Sequence, residues 1–142
     1  MNEISIISVK ELQFLNNKNE YIFIHFGYTS TTKIDVLYNK IKKKERSYLI
    51  NLFSELTGID IRVEDILGRL HIVLLKTLVD GTMNNIVISN IAFLPSSFAF
   101  LMDNLKKIFD NLRNLDNKKV IIVDCDLNDP ESVRYLDEYF KE

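Results

Sequence analysis

Two short apolar runs and the segment between them decide the fold: Asn85-Ile-Val-Ile-Ser89 and Lys119-Val-Ile-Ile-Val-Asp124. Both runs are rich in β-branched residues, which is typical of strands that are covered on both faces. Between them, apolar residues recur at helical spacing and predict one helix with a broad apolar face. These residues are Phe98, Leu101, Met102, Leu105, Ile108, Phe109, Leu112 and Leu115. The stretch predicts a strand, a turn, a helix and a second strand, and a right-handed crossover makes the two strands parallel neighbours.

The flanking sequence predicts further elements of an α/β fold. Glu64–Leu78 has the helical period, and Asp129 is followed by a proline, as at the start of a capped helix. Near the N-terminus, Ile4–Val9 and Tyr21–Phe26 have strand character and are separated by the polar turn Asn16–Asn19. This spacing predicts an opening hairpin. We therefore expect an α/β layer fold with a mixed β-sheet and helices packed on it.

The segment between the hairpin and the central strands is mainly helical in pattern. Its apolar face stops at the charged run Lys42–Arg46 and resumes afterwards, so the pattern fits one long helix or two helices that meet there. Gly58 suits a helix C-terminus. Ile59–Val63 alternates strictly between apolar and polar residues, which predicts a short edge strand.

Composition limits the classes of protein that the chain fits. Its 142 residues are most economically one domain, with an N-terminal extension over 1–58 and a core over 59–142. A formal net charge of −2 provides no global attraction to nucleic acid or anionic lipid. The single cysteine, Cys125, excludes an internal disulfide framework and a cysteine-based zinc site. We expect a cytoplasmic protein, since no apolar run is long enough to span a bilayer and the N-terminus does not resemble a signal peptide. We also expect no cofactor.

Ser96 and Ser97 lie where the first central strand gives way to the helix. Unpaired amides and the positive end of the helix dipole collect at such a point. A serine hydroxyl there is a good helix cap, and a phosphate group is also favoured. A phosphoserine would add a charge of about −2, which the helix terminus accepts but an apolar partner surface does not.

The segment Ile86–Leu101 resembles the strand-to-helix core of STAS and STAS-like domains, the class that contains bacterial anti-sigma-factor antagonists. The similarity covers roughly residues 60 to 142 and centres on the pair Ser96-Ser97 at a helix start. Pro95 replaces the aspartate that usually precedes the serines, and Phe98 replaces the glycine that usually follows them.

The resemblance implies a non-enzymatic regulatory module that binds another protein and is switched by phosphorylation of Ser96 or Ser97. It implies a partner surface formed by Asn90, Pro95 and Phe98. The implied partner is a histidine-kinase-like ATPase that acts as a serine kinase, or a second copy of the chain.

A second hypothesis is an enzyme or a nucleotide-binding protein that holds a metal ion after the second central strand. Asp124, Asp126 and Asp129 could supply oxygen ligands to Mg²⁺, although Asp129 also suits a helix cap. The segment Val120–Leu136 also resembles the Walker B strand and following loop of ABC-type ATPases. That interpretation requires a glycine-rich phosphate loop, and Phe26–Lys33 has only one glycine. We therefore expect no autonomous ATP hydrolysis, and a degenerate nucleotide-binding protein stays open.

The remaining candidates are weaker. His25 and His71 have no neighbouring ligand residue at metal-binding spacing, and Cys125 fits a small core side chain better than a nucleophile. One basic cluster fits a solvated helix face or a weak site for nucleic acid or an acidic partner. Its members are Lys40, Lys42, Lys43, Lys44 and Arg46. A small immunity or antitoxin-type inhibitor of a single target is a third hypothesis.

Overall fold

A computed structural model describes residues 2–15, 20–24, 31–81, 84–89, 95–125 and 128–139. Four strands, five α-helices and one 3₁₀ helix are formed within these ranges. In chain order they are β1 (Glu3–Ser8), the 3₁₀ helix (Val9–Phe14), β2 (Tyr21–Ile24), α1 (Thr31–Lys40), α2 (Lys43–Thr57), α3 (Ile66–Asp80), β3 (Asn85–Ser89), α4 (Pro95–Asn111), β4 (Lys119–Asp124) and α5 (Pro130–Tyr139).

The four described strands form one parallel sheet in the order β1-β4-β3-β2. In its register, Lys119 of β4 pairs with Glu3 on one side and with Asn85 on the other, and Asn85 also pairs with Tyr21. The α/β class is confirmed, and so is the prediction that β3 and β4 are parallel neighbours.

The predicted opening hairpin is not formed, and the described strands are parallel instead of mixed. β1 and β2 lie at opposite edges of the sheet, separated by β4 and β3. The 3₁₀ helix follows β1 directly, and its Val9 and Leu12 are buried against the sheet. This helix packs on one face of the sheet, and the strands before and after the predicted turn are not paired with each other. The predicted turn itself, at 16–19, lies outside the described residues. Both edge strands instead pair with the more apolar β3 and β4.

The sheet has two differently covered faces. The front face carries Ile86 and Ile88 and packs against α1, α2, α3 and α4. The back face carries Val87 and Ile121 and packs against the 3₁₀ helix and α5. Residues on both sides of position 58 share the front core. Buried members before it are Ile24, Ile34, Tyr38, Ile41, Leu49, Phe53 and Leu56, and those after it include Leu70, Leu74, Leu101 and Ile122.

The structure decides one open prediction, the number of helices between 31 and 57, and shows that another, the edge strand at Ile59–Val63, is wrong. The chain between 31 and 57 forms two helices, which are interrupted at the buried Ile41, and Gly58 ends α2 with a φ of 74°. Ile59–Val63 is not a strand. Its alternation is nevertheless real, because Ile59, Ile61 and Val63 are partly buried against the front core and the residues between them are exposed. A loop that covers a core can therefore imitate a strand in sequence.

None of the helices in the described ranges is both long enough and apolar enough to cross a lipid bilayer.

Candidate functional site

The carboxyl edge of the sheet is where the chain leaves β3 and β4 in opposite directions. β3 is followed by α4, whose Leu101 and Leu105 pack on the front face. β4 is followed by α5, whose Leu136 packs on the back face. In open α/β sheets, ligand sites form where neighbouring strands send their connections to opposite faces. Candidate residues near this edge are therefore favoured by the topology.

Ser96 and Ser97 are the second and third residues of α4, because the helix begins at Pro95. Both serines belong to the first turn instead of capping it, so the cap predicted from sequence lies one or two residues too late. Ser96 is exposed and Ser97 is partly buried. Backbone N–H groups of a first helical turn have no intrahelical acceptor, and the dipole there favours negative charge. A negative charge on the exposed side chain of Ser96 would therefore be compatible with the helix start.

The predicted partner surface is only partly described. Phe98 is partly buried and packs against the front core, so only a portion of its ring faces outward. Pro95 opens α4, and Asn90 lies outside the described residues.

A cleft of about 220 Å³ lies between α4 and the segment that joins α2 to α3. Phe100 forms its α4 wall, and Ile59, Ile61 and Leu67 contribute apolar atoms opposite. Ser96 and Phe100 are four residues apart on one helix, so they lie on the same face of α4. The candidate phosphorylation position therefore lies one helical turn from a residue that lines this mostly apolar cleft. Asp60, Arg62 and Asp65 also line it.

Arg69 and Gly68 hold the joining segment in place. The Arg69 Nη1 donates to the carbonyl oxygens of Val63 and Glu64, both at 2.9 Å, and its Nε donates to Asp35 Oδ1 at 2.6 Å. Gly68 is needed because a Cβ there would lie 1.9 Å from the carbonyl oxygen of Arg62. One wall of the cleft is thus fixed by a side-chain fork and by a close backbone approach.

A buried polar pair lies behind the cleft. His71 Nδ1 is 2.7 Å from the carbonyl oxygen of Leu67, which can only accept, so the ring proton is on Nδ1. Asn104 Nδ2 then donates to His71 Nε2 at 3.1 Å. Burial lowers the pKa of His71 to about 4, although its hydrogen bond to the Leu67 carbonyl opposes this shift. The ring packs edge-on against Phe53 and Phe100, at centroid distances of 5.5 and 5.2 Å.

Sequence reasoning missed this pair and the role of Gly68. Asn104 lies within the apolar stripe of α4 and is fully buried, and a polar residue in such a stripe is the available signal. A glycine inside a helical pattern was the corresponding signal at position 68.

The three predicted aspartates have different surroundings. Asp124 ends β4 and is exposed. Asp129 accepts hydrogen bonds from the Glu131 amide at 3.2 Å and the Ser132 hydroxyl at 2.7 Å, so it caps α5 as predicted. The bond from Ser132 is the main cause of its lowered pKa. Asp126 lies outside the described residues. Within the described ranges, no three acidic, histidine or cysteine side chains cluster as metal ligands.

The structure separates the basic cluster into two environments. Lys40, Lys42, Lys43 and Lys44 are exposed around the junction of α1 and α2. The Arg46 guanidinium instead lies over the ring of Tyr38, with its central carbon 5.2 Å from the ring centroid. The lysines therefore form a solvated patch, whereas Arg46 has a packing role.

The segment Phe26–Lys33 joins a strand to a helix. β2 ends at Ile24 and α1 begins at Thr31, while residues 25–30 lie outside the described ranges. Lys33 is the third residue of α1. Parallel pairing of β2 with β3 places the carboxyl ends of both strands at the same edge. Phosphate-binding loops likewise lie between a strand and the helix that follows it in the chain. Among the other weak candidates, Cys125 and His71 are buried, and His25 is outside the described residues.

We compared the chain with protein-family models, with curated proteins and with solved structures, and none of these comparisons found a match. The resemblances to STAS-like domains and to ABC-type ATPases therefore stay predictions.

Proposed function

We propose that this protein is a non-enzymatic regulatory module that binds another protein at the cleft beside α4 and is switched by phosphorylation of Ser96. The proposal is carried by one observation: Ser96 is exposed and lies one helical turn from Phe100, which lines an apolar cleft. A partner that inserts an apolar side chain into this cleft would pass close to the serine.

The charges around the cleft support an inhibitory switch. Asp60 and Asp65 already contribute negative charge to the lining. The positive charge of Arg62 is offset by Glu64, whose Oε2 lies 3.9 Å from the Arg62 Nε. A phosphate group on Ser96 would add a charge of about −2 beside an apolar contact, and its desolvation would disfavour docking. The helix start itself would accept the phosphate, so α4 would remain folded.

The test is affinity purification from the native host with four baits: the unchanged chain, Ser96→Ala, Ser96→Asp and Ser47→Asp. Ser47 is exposed on α2, so the last variant adds the same charge away from the cleft. We expect one partner to be retained by all baits except Ser96→Asp, and phosphate to be found on Ser96 by mass spectrometry. Equal retention by Ser96→Asp, with no phosphate on the unchanged chain, would contradict the switch and favour a constitutive inhibitor.

A second candidate function is binding of a nucleotide or phosphate without hydrolysis. It is favoured by the order of β2 and α1: Gly27 lies between them in the sequence, Lys33 belongs to α1, and β2 pairs with the parallel strand β3. In phosphate loops the glycines let backbone amides surround the phosphates, and a lysine contacts them. Thr32 and Ile34 stand where such loops have glycine and a hydroxyl residue, which would weaken phosphate and Mg²⁺ binding.

Thermal denaturation with Mg²⁺ and ATP, ADP or GTP distinguishes the two functions. A bound nucleotide raises the melting temperature through mass action, and Lys33→Ala should abolish that rise, while Lys43→Ala on the exposed patch should not. An unchanged melting temperature at saturating nucleotide would exclude this second function.

A further inference from the structure

β1 is an edge strand that carries few of the features by which proteins protect such edges. Its sequence, Glu3-Ile-Ser-Ile-Ile-Ser8, has no lysine or proline and only a single charge, at its first residue. Unprotected β-branched edges are templates for further strand pairing. At the other edge of the sheet, none of the four residues of β2 is exposed. Ile6 of β1, in contrast, is 50% exposed.

The register shows which backbone groups of β1 face outward. The Glu3 amide donates to the Lys118 carbonyl at 2.8 Å, so the odd-numbered residues of β1 bond to β4. The amides and carbonyls of Ile4, Ile6 and Ser8 consequently point away from the sheet. The outward amide of Ser8 donates to Glu11 Oε1 at 3.1 Å. Among the described residues, the outward amides of Ile4 and Ile6 have no hydrogen-bond acceptor.

We propose that two copies of this chain associate by antiparallel pairing of their β1 strands about a two-fold axis through Ser5. In this register Ile4 of each copy lies opposite Ile6 of the other, and each such pair exchanges two hydrogen bonds. All four groups left outward by Ile4 and Ile6 are then satisfied. Since directly opposed residues point to the same side of a sheet, Ile6 is covered on the front face by Ile4 from the other copy.

Other antiparallel registers fit less well. A shift that places Ile6 opposite its own copy would set Ile4 against Ser8, whose amide is already used by Glu11. A shift by one residue would place front-face residues of one copy opposite back-face residues of the other, so the two sheets could not continue into each other. The selected pairing is self-complementary, as a two-fold interface requires, and it joins two four-stranded sheets into one of eight strands.

The first test is the mass of the unmodified protein in solution, measured by sedimentation across a concentration series. We expect a species of twice the chain mass of 16.6 kDa. Ile6→Lys should weaken this dimer by roughly tenfold or more, because it places an ammonium group at the pairing edge. Val36→Lys is the matched control, since Val36 is 52% exposed on α1 and lies outside the interface. Circular dichroism checks that both variants are folded.

Cross-linking tests the register. In a Cys125→Ala background, Ser5→Cys places two thiols opposite each other at the two-fold axis, where the Cα separation of such pairs, about 4.5 Å, suits a disulfide. Ser8→Cys on the same strand places them too far apart. We expect a cross-linked dimer from the first variant alone. A monomer at every concentration, a dimer that Ile6→Lys leaves unchanged, or equal cross-linking by both cysteine variants would overturn the proposal.

Discussion

At the scale of single residues, Ser96 lies in the first turn of α4, so the sign of a charge introduced there determines whether the protein is stabilised or destabilised. We expect Ser96→Asp to stabilise the protein by about 0.3–1 kcal/mol, since a carboxylate interacts favourably with the helix N-terminus. Ser96→Lys should destabilise it by a similar amount. Urea denaturation of both variants at low ionic strength measures the effect. Equal stabilities would show that the start of α4 does not favour a negative charge, and hence that it would not favour a phosphate on Ser96.

His71 predicts a stability that falls in acid. Its pKa is about 4 in the folded protein and 6.5 in the unfolded chain, so the unfolded state binds the proton more readily. Neutral His71 therefore contributes about 3 kcal/mol to the free energy of unfolding above pH 6.5, and this contribution is lost as the pH falls towards 4. Chemical denaturation at several pH values measures it.

His71→Gln is the control for this pH dependence, because a glutamine does not titrate. The variant is expected to lose part of the stability difference between pH 7 and pH 4.5 that the unmodified chain shows. If the two proteins had the same pH profile, carboxylates and not the buried imidazole would control the acid response.

At the scale of elements, helix propensity and packing have opposite effects on a substitution of Gly68 in α3. Propensity alone predicts that Gly68→Ala stabilises α3 by about 1 kcal/mol. A Cβ, however, would lie 1.9 Å from the Arg62 carbonyl oxygen, which must then move. We expect net destabilisation of about 1–3 kcal/mol, measured by urea denaturation, and increased hydrogen exchange in the segment over the cleft. A stabilised variant would show that the close approach is not maintained in solution.

The elements also show what local sequence can and cannot specify. Hydrophobic period correctly predicted α3 and α4, and uninterrupted apolar runs correctly predicted β3 and β4, because each of these signals is contained within one element. It did not predict the partner of β1, since alternation is the same in a hairpin and at the edge of a parallel sheet. Asn104 and His71 were not linked for a related reason: their contact joins two helices, and no spacing along one element encodes it.

At the scale of the whole molecule, residues 1–58 share a core with the rest of the chain. Leu49 and Phe53 are buried in the same cluster as Leu74 and Leu105. We expect a fragment of residues 59–142 to lose cooperative thermal unfolding and near-ultraviolet circular dichroism, and to bind a hydrophobic dye. The intact chain is the control. A fragment with a sharp unfolding transition would instead support a detachable N-terminal extension.

The pairing of β1 with β4 also determines when the protein can fold during synthesis. Asn2 hydrogen-bonds to Lys118, 116 positions later. At about 5–20 residues per second, β1 leaves the ribosome many seconds before its partner strand does. During that interval both of its edges are unpaired, and nascent chains on neighbouring ribosomes offer identical segments. Slow translation between β1 and β4 would lengthen this interval and lower the yield of folded protein, and a chaperone that shields β1 on the ribosome would raise it. Both effects should be larger than for a protein whose first strand pairs locally.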